Sequence, residues 1–183
     1  MTHSHIFISG GAYSGKTSHA VATASKFKHV TWIGTANDAV PEIKGHIKLM
    51  RSQRPTHWNH QSAPIELPEI LRRHMAASNS EVVVIDSVSQ WLANLIAQGS
   101  AKYDEGQMRG VLDRETDALL RTLTDASRHQ SLITVSADFG PSLPPDDPSQ
   151  RLLRQYNGNL NQRLAHLSAR AEYIFAGMVT FAK

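Results

Sequence analysis

Short, continuous apolar runs alternate along this chain with longer stretches whose apolar positions recur every three or four residues. The runs are Ile6-Phe7-Ile8, Val30-Thr31-Trp32-Ile33, residues 81–86, Leu132-Ile133-Thr134-Val135-Ser136 and residues 172–177. Strands covered on both faces are apolar at successive positions rather than at alternate ones, so the pattern predicts a parallel sheet flanked by helices. Between the strands, a helix is expected over 41–53, with Pro41 in its first turn and Arg54-Pro55 ending it. Another is expected over 87–97. A long amphipathic helix is expected over 104–128, where Val111, Leu112, Leu119, Leu120 and Leu123 form a core-facing stripe. Four prolines and two aspartates within residues 141–148 predict an irregular loop, ordered or mobile, beside the carboxyl edge of the sheet. A helix and a last strand at 172–177 complete the expected order.

The first strand runs directly into Gly10-Gly11-Ala12-Tyr13-Ser14-Gly15-Lys16-Thr17, and a helix-compatible segment follows. This satisfies G-x-x-x-x-G-K-[ST], the phosphate-binding P-loop, and each residue type has a physical reason to be there. Gly15 lets the backbone come close, so that successive N–H groups converge on phosphate oxygens where the helix dipole favours negative charge. Lys16 would reach the β- and γ-phosphates, and the Thr17 hydroxyl would ligate a Mg²⁺ that keeps most of its waters. The expected fold is therefore α/β of the P-loop NTPase class, RecA-like, with a mostly parallel central sheet flanked by helices. ATP or GTP is the expected substrate.

Asp86 ends its apolar strand at the carboxyl edge of the sheet, where open α/β folds bind ligands. It reads as the acidic partner of the P-loop that holds Mg²⁺, as a helix N-cap for residues 87–97, or as both. Arg151 and Arg154 would supply positive charge around a transferring phosphate or form a solvated helix face.

Composition adds bounds. The 183 residues suit one domain over 1–183, large enough to bury a core without staples. No run of 18 or more apolar residues suggests a membrane span. Met1 to His5 leads straight into the first strand with no signal-peptide pattern, so a cytoplasmic location is expected. The absence of cysteine excludes disulfides, thiolate metal sites and a cysteine nucleophile. A formal net charge of +3 without a dense Lys/Arg tract gives no footprint for nucleic acid. Ten histidines are scattered without zinc spacing, and most are expected at the surface.

The order of these features resembles the bifunctional adenosylcobinamide kinase / adenosylcobinamide-phosphate guanylyltransferases of cobalamin biosynthesis, over nearly the whole chain. The family's G-G-A-R-S-G-K-S corresponds to residues 10–17, its A-T-A-like turn to Gly34-Thr35-Ala36, and E-M-x-x-R-I to residues 42–47. R-P-x-x-W is kept as Arg54-Pro55-Thr56-His57-Trp58, and D-x-x-x-x-W-x-x-N as Asp86, Trp91 and Asn94. V-S-N-E-V-G looks like residues 135–140, and the late R-x-x-R-x-x-x-G-x-x-N-Q-x-x-A pattern is intact from Arg151 through Ala165. The resemblance implies phosphoryl transfer to the aminopropanol hydroxyl of adenosylcobinamide, with Lys16, Asp86 and Asp138 catalytic. Residues 10–17, Thr35 and Arg54 would bind nucleotide, Thr17 and Asp86 the metal, and Arg151, Arg154 and Asn161 the acceptor side. It also implies a homo-oligomer, a trimer in that family.

Departures from the family pattern are specific. The family's guanylylated histidine, four residues before the R-P pair, is Met50 here, and a thioether cannot form a phosphoramidate. His46 lies one helical turn earlier, a displacement of ~6 Å along the axis. The loop arginine is Tyr13, the N-E pair is Ala137-Asp138, and the aspartate after the second late arginine is Gln155. A nucleotide-dependent kinase that lacks the family's guanylyl nucleophile is one expectation; a diverged nucleotide-binding paralogue with a regulatory role is the other.

Overall fold

The computed structural model describes residues 4–37, 41–52, 54–77, 80–140 and 143–183. Among them, strands β1 (His5–Gly10), β2 (Val30–Gly34), β3 (Asn59–Ser62), β4 (Val82–Asp86), β5 (Ser131–Ala137), β6 (Arg170–Phe175) and β7 (Met178–Phe181) form one sheet in the order β3-β2-β4-β5-β1-β6-β7. All neighbouring pairs are parallel except β6 with β7. The helices are α1 (Lys16–Ala24), α2 (Pro41–Ser52), α3 (Leu67–Ala77), α4 (Val88–Gly99), α5 (Glu105–Ala126) and α6 (Pro148–Leu167).

The continuous apolar runs are buried on both faces because the sheet separates two cores. Along β4, Val82 and Val84 join Ile8, Ala20, Trp32, Trp58 and Val135 on the α1 side. Val83 and Ile85 face the larger core built from α3, α4, α5 and α6, with Leu71, Trp91, Leu112, Leu119 and Leu160. The alternation of side-chain direction along a strand produces this division from an unbroken apolar sequence. Helix starts follow local chemistry: Asp104 and Gln107 form a reciprocal capping box at α5, and Asp147 with Pro148 opens α6.

Several expectations require correction. Residue 53, the expected end of α2, and residues 141–142 of the proline-rich loop lie outside the described residues. Ser87, not Asp86, caps α4, its hydroxyl accepting from the Gln90 N–H. Residues 172–177 do not hold the last strand, because Ala176 (φ 49°) and Gly177 (φ 79°) form a two-residue turn into β7. Positive φ at both turn residues matches the twist of an antiparallel hairpin. Sequence reading also omitted β3 and α3. Asn59-His60-Gln61-Ser62 contains no apolar residue; β3 is an edge strand paired to β2, and Asn59 and Gln61 add side-chain bonds to Thr31 and His74. Among the described histidines His5 and His74 are buried, whereas His29, His57, His129 and His166 are exposed.

Candidate active site

The carboxyl edge of the sheet gathers the chemistry. Gly10 ends β1 at φ 152°, and a Cβ there would lie 2.3 Å from the Ile174 carbonyl oxygen, so this approach of β1 to β6 admits only glycine. Gly15, in the left-handed region at φ 99°, turns the chain into α1. Neither a side-chain cap nor a first-turn acid occupies the start of α1, which leaves its first N–H groups directed at the loop. The Gly177 N–H holds the Ser14 carbonyl at 3.0 Å, tying the loop to the β6–β7 turn. Ser14 Oγ is buried without a hydrogen-bond partner. Tyr13, with φ 55°, projects its side chain wholly into solvent at 101% exposure. Lys16 Nζ donates to the Gly11 carbonyl, arching over the loop. Burial pushes the Lys16 ammonium below its ordinary value, while Asp86 and Asp138 pull it back up.

Strand β5 intervenes between β1 and β4, so the loop and Asp86 start two strand spacings apart, about 9.6 Å. Helix α1 packs across β1, β5 and β4 and closes that gap. It brings Thr17 Oγ1 within 3.3 Å of one Asp86 carboxylate oxygen and 3.5 Å of the other. A hydroxyl and a carboxylate this close, in front of phosphate-directed amides, fit a magnesium ion. Mg²⁺ takes hard oxygen ligands, needs one or two carboxylates, and completes its shell with water and substrate phosphate.

Beside Thr17 and Asp86 lies a cavity of about 230 Å³, lined among others by Trp32, Met50, Arg51, Arg54, His60 and Gln90. The Arg54 side chain is only 9% exposed; its guanidinium sits 3.9 Å above the Trp32 ring and 3.7 Å from the Asp86 carboxylate. Trp32 in turn stacks on Trp58 at 5.9 Å. The R-P-x-x-W segment thus builds a tryptophan stack under an arginine, a delocalised cation suited to such a face. Burial lowers the Arg54 pKa to about 10, Asp86 opposing and Arg51 adding to the effect. Its Nε is buried without a partner.

The other expected site residues divide. Thr35 is fully buried and both its hydroxyl bonds go to the Ser87 peptide, at 2.7 and 2.9 Å, so its side chain holds the β4–α4 turn rather than facing the cavity. Asp138 lies close enough to Lys16 to act on its charge; it accepts from the Tyr173 hydroxyl at 2.9 Å and from the Gly140 N–H at 3.0 Å. Arg151 donates to the Pro145 and Asp146 carbonyls, and Arg154 to those of Leu143 and Gly140. These two arginines order the loop before α6. Asn161 donates to the Ala137 carbonyl at 3.0 Å, alongside Asn157 at 2.8 Å, fixing the end of β5. His60 was missed, because nothing in the polar sequence of β3 marks a strand that delivers a side chain to this cavity.

A glycine loop between β1 and α1, faced across the sheet edge by Asp86, defines an α/β protein of the P-loop NTPase fold. The family model described as cobinamide kinase / cobinamide phosphate guanyltransferase matches residues 6–181, and the chain belongs to that family. It is 26% identical over 177 residues to the bifunctional adenosylcobalamin biosynthesis protein CobU of Escherichia coli, covering 94% of this chain and 96% of that protein. It is 30% identical over 172 residues to the corresponding protein CobP of Pseudomonas aeruginosa, covering 93% and 92%. Among solved structures, the RadB recombinase superposes with a TM-score of 0.53 at 16% identity, over 93% of this chain and 73% of that one. A type III secretion ATPase of pathogenic bacteria superposes with a TM-score of 0.55 at 10% identity, over 93% and 50%. At these identities the two structures establish the fold.

Proposed function

We propose that this protein is a nucleotide-dependent kinase of cobalamin biosynthesis, transferring the γ-phosphoryl group of ATP or GTP to the aminopropanol hydroxyl of adenosylcobinamide. The observation that carries this reading is the 3.3 Å approach of Thr17 to Asp86 in front of the P-loop. Membership of a family described as cobinamide kinase supplies the acceptor. In this reading the loop amides and Lys16 would hold the β- and γ-phosphates, and Thr17 and Asp86 would hold a Mg²⁺ ion, which when bound would supply charge neutralisation at the phosphate oxygens. Phosphoryl transfer asks mainly for such positioning and charge stabilisation, with no covalent intermediate on the protein. Arg54 adds a fixed cation beside Asp86 and Asp138 accepts the acceptor's hydroxyl proton. Arg151, Arg154 and Asn161 act on the acceptor side by shaping the loop and strand end around it.

The guanylyl half of the family description cannot run through Met50. Residues 1–183 form one nucleotide-binding domain in this reading, working in the cytoplasm as a homo-oligomer, a trimer by resemblance to the family. No helix among the described residues is long and apolar enough to cross a membrane. The test is nucleoside diphosphate release from Mg·ATP and Mg·GTP with and without adenosylcobinamide. Acceptor-dependent stimulation supports the kinase; bound nucleotide whose turnover ignores the acceptor favours the regulatory paralogue, the reading to which Tyr13, Met50 and Ala137 would then belong.

A further inference from the structure

We propose that Tyr173 is a positioning residue for phosphoryl transfer, its hydroxyl holding the Asp138 carboxylate beside the P-loop in the orientation that receives the acceptor's hydroxyl. The inference rests on the kinase reading above and adds to it a residue that acts through Asp138. Asp138 follows β5, and the peptide leading into it is bonded at both ends. The Ala137 carbonyl accepts from Asn157 at 2.8 Å and from Asn161 at 3.0 Å. The Asp138 N–H donates to the Gly10 carbonyl at 2.8 Å, where β1 gives way to the loop. The backbone is thereby locked to the P-loop, and only the side-chain torsions of Asp138 stay open.

Those torsions are closed by a donor on each carboxylate oxygen. The Gly140 N–H donates to Oδ1 at 3.0 Å and the Tyr173 hydroxyl to Oδ2 at 2.9 Å. The first donor belongs to the same loop and moves with it. The second comes from β6, which β1 separates from β5. Tyr173 pairs with Ser9 and Ser9 with Ser136, so the phenol reaches across β1 at a small residue to meet the chain just beyond β5. Strand β6 needs no such tie, since its backbone already pairs with β1 over residues 170–174 and with β7 over residues 172–175. The far end of the bond is a carboxylate that acts on the Lys16 charge.

An ionised carboxylate offers about four acceptor sites, so one donor on each oxygen leaves lone pairs for the acceptor's hydroxyl. Without the phenol, Oδ2 loses its only anchor outside the loop, and a misplacement of about 1 Å is enough to cost about 100-fold in rate. The bond to Asp138, then burial, push the Tyr173 pKa above its ordinary value. The hydroxyl therefore keeps its proton and serves as a donor, not as a base.

The test is steady-state transfer of γ-label from Mg·ATP or Mg·GTP to adenosylcobinamide by the wild type, Tyr173→Phe, Asp138→Ala and the double variant. Tyr173→Phe keeps the ring and loses the hydroxyl; kcat should fall about 10-fold while KM for nucleotide and for cobinamide stays within about twofold. Combined with Asp138→Ala, the same change should cost nothing further, because the hydroxyl then has no carboxylate to hold. Unchanged kcat in Tyr173→Phe, a change in KM alone, or losses that multiply in the double variant overturn the proposal. A second measurement needs no turnover. With tyrosines isotopically labelled at Cζ, the resonance absent from Tyr173→Phe should titrate above ~10 in the wild type and return towards that value in Asp138→Asn. A resonance that titrates at the ordinary value in the wild type overturns the proposal without any variant's activity being read. A wild type that transfers no label to the corrinoid removes the kinase reading and the role of Tyr173 with it. Transfer that ignores the Tyr173 hydroxyl removes Tyr173 alone.

Discussion

The Thr17 hydroxyl reaches to 3.3 Å from the Asp86 carboxylate across 69 residues of sequence and an intervening strand. Neither residue's local sequence accounts for the pairing. It follows from the glycine turn at φ 99° that starts α1 and from the packing of α1 over β5, which together aim the first helical turn at the end of β4. A helix start rotated or shifted by one residue would carry Thr17 away from Asp86 by roughly 100° around the helix axis.

This geometry makes Lys16 and Thr17 separable. Lys16→Ala should weaken nucleoside triphosphate binding by about 100-fold (~2.7 kcal/mol) through loss of a charge-assisted phosphate contact. Thr17→Ala should retain metal-free nucleotide affinity and lose the increment that Mg²⁺ adds. Titration calorimetry with and without EDTA distinguishes them, and wild-type affinity in Lys16→Ala would contradict the P-loop assignment.

Arg54 should matter through both its partners. Arg54→Ala removes the cation beside Asp86 and uncovers Trp32, so nucleotide turnover should fall by about 10- to 100-fold. Arg54→Lys should recover little, because an ammonium stacks poorly on an aromatic face. Nucleotide entering the cavity should also change intrinsic tryptophan emission, since Trp32 lines it. Unchanged turnover in Arg54→Ala would show that the stack is purely structural.

Strands β1, β2, β4, β5 and β6, the P-loop segment and the place of Asp86 were legible in the sequence because their signals are local: continuous apolar runs for buried parallel strands, fixed glycine spacing for the loop. The R-P-x-x-W segment was legible as a pattern without its reason, which lies in the approach of Arg54 and Trp58, from the segment between α2 and β3, to Trp32 on β2. Strand β3 and His60 were not legible. An edge strand with polar residues has no hydrophobic period, and only parallel pairing with β2 turns His60 toward the cavity. For Arg151 and Arg154 the sequence left open a phosphate contact or a solvated helix face; what it did not show is that their guanidiniums donate to loop carbonyls.

Gly10→Ala should destabilise the fold by about 1–3 kcal/mol, or more where strain and clash combine, because the added Cβ meets the Ile174 carbonyl while φ stays at 152°. Gly11→Ala, where a Cβ meets nothing within 4 Å, serves as the control. Denaturant unfolding compares the two, and equal stability would contradict the close approach of β1 to β6.

Acid should weaken the protein partly through His5. Its ring is 2% exposed and bonded to the Thr134 hydroxyl at 2.9 Å, and burial lowers its pKa to about 4 from 6.5. The unfolded chain therefore takes up a proton first as pH falls. The stability contribution is whole above pH 6.5 and is lost between about 6.5 and 4, on the order of 3 kcal/mol. His60 and His74, lowered in the same direction, add to the slope. In His5→Gln the fall in unfolding free energy over this window should be shallower; an unchanged slope would show that His5 does not titrate this way.

Phosphoryl transfer to a cobinamide is tested most directly by incubating the protein with γ-labelled GTP or ATP, Mg²⁺ and adenosylcobinamide and isolating the corrinoid by chromatography. The account predicts label on the corrinoid, dependent on Mg²⁺ and lost in Lys16→Ala. Nucleotide that binds with Mg²⁺ while the corrinoid stays unlabelled would contradict it.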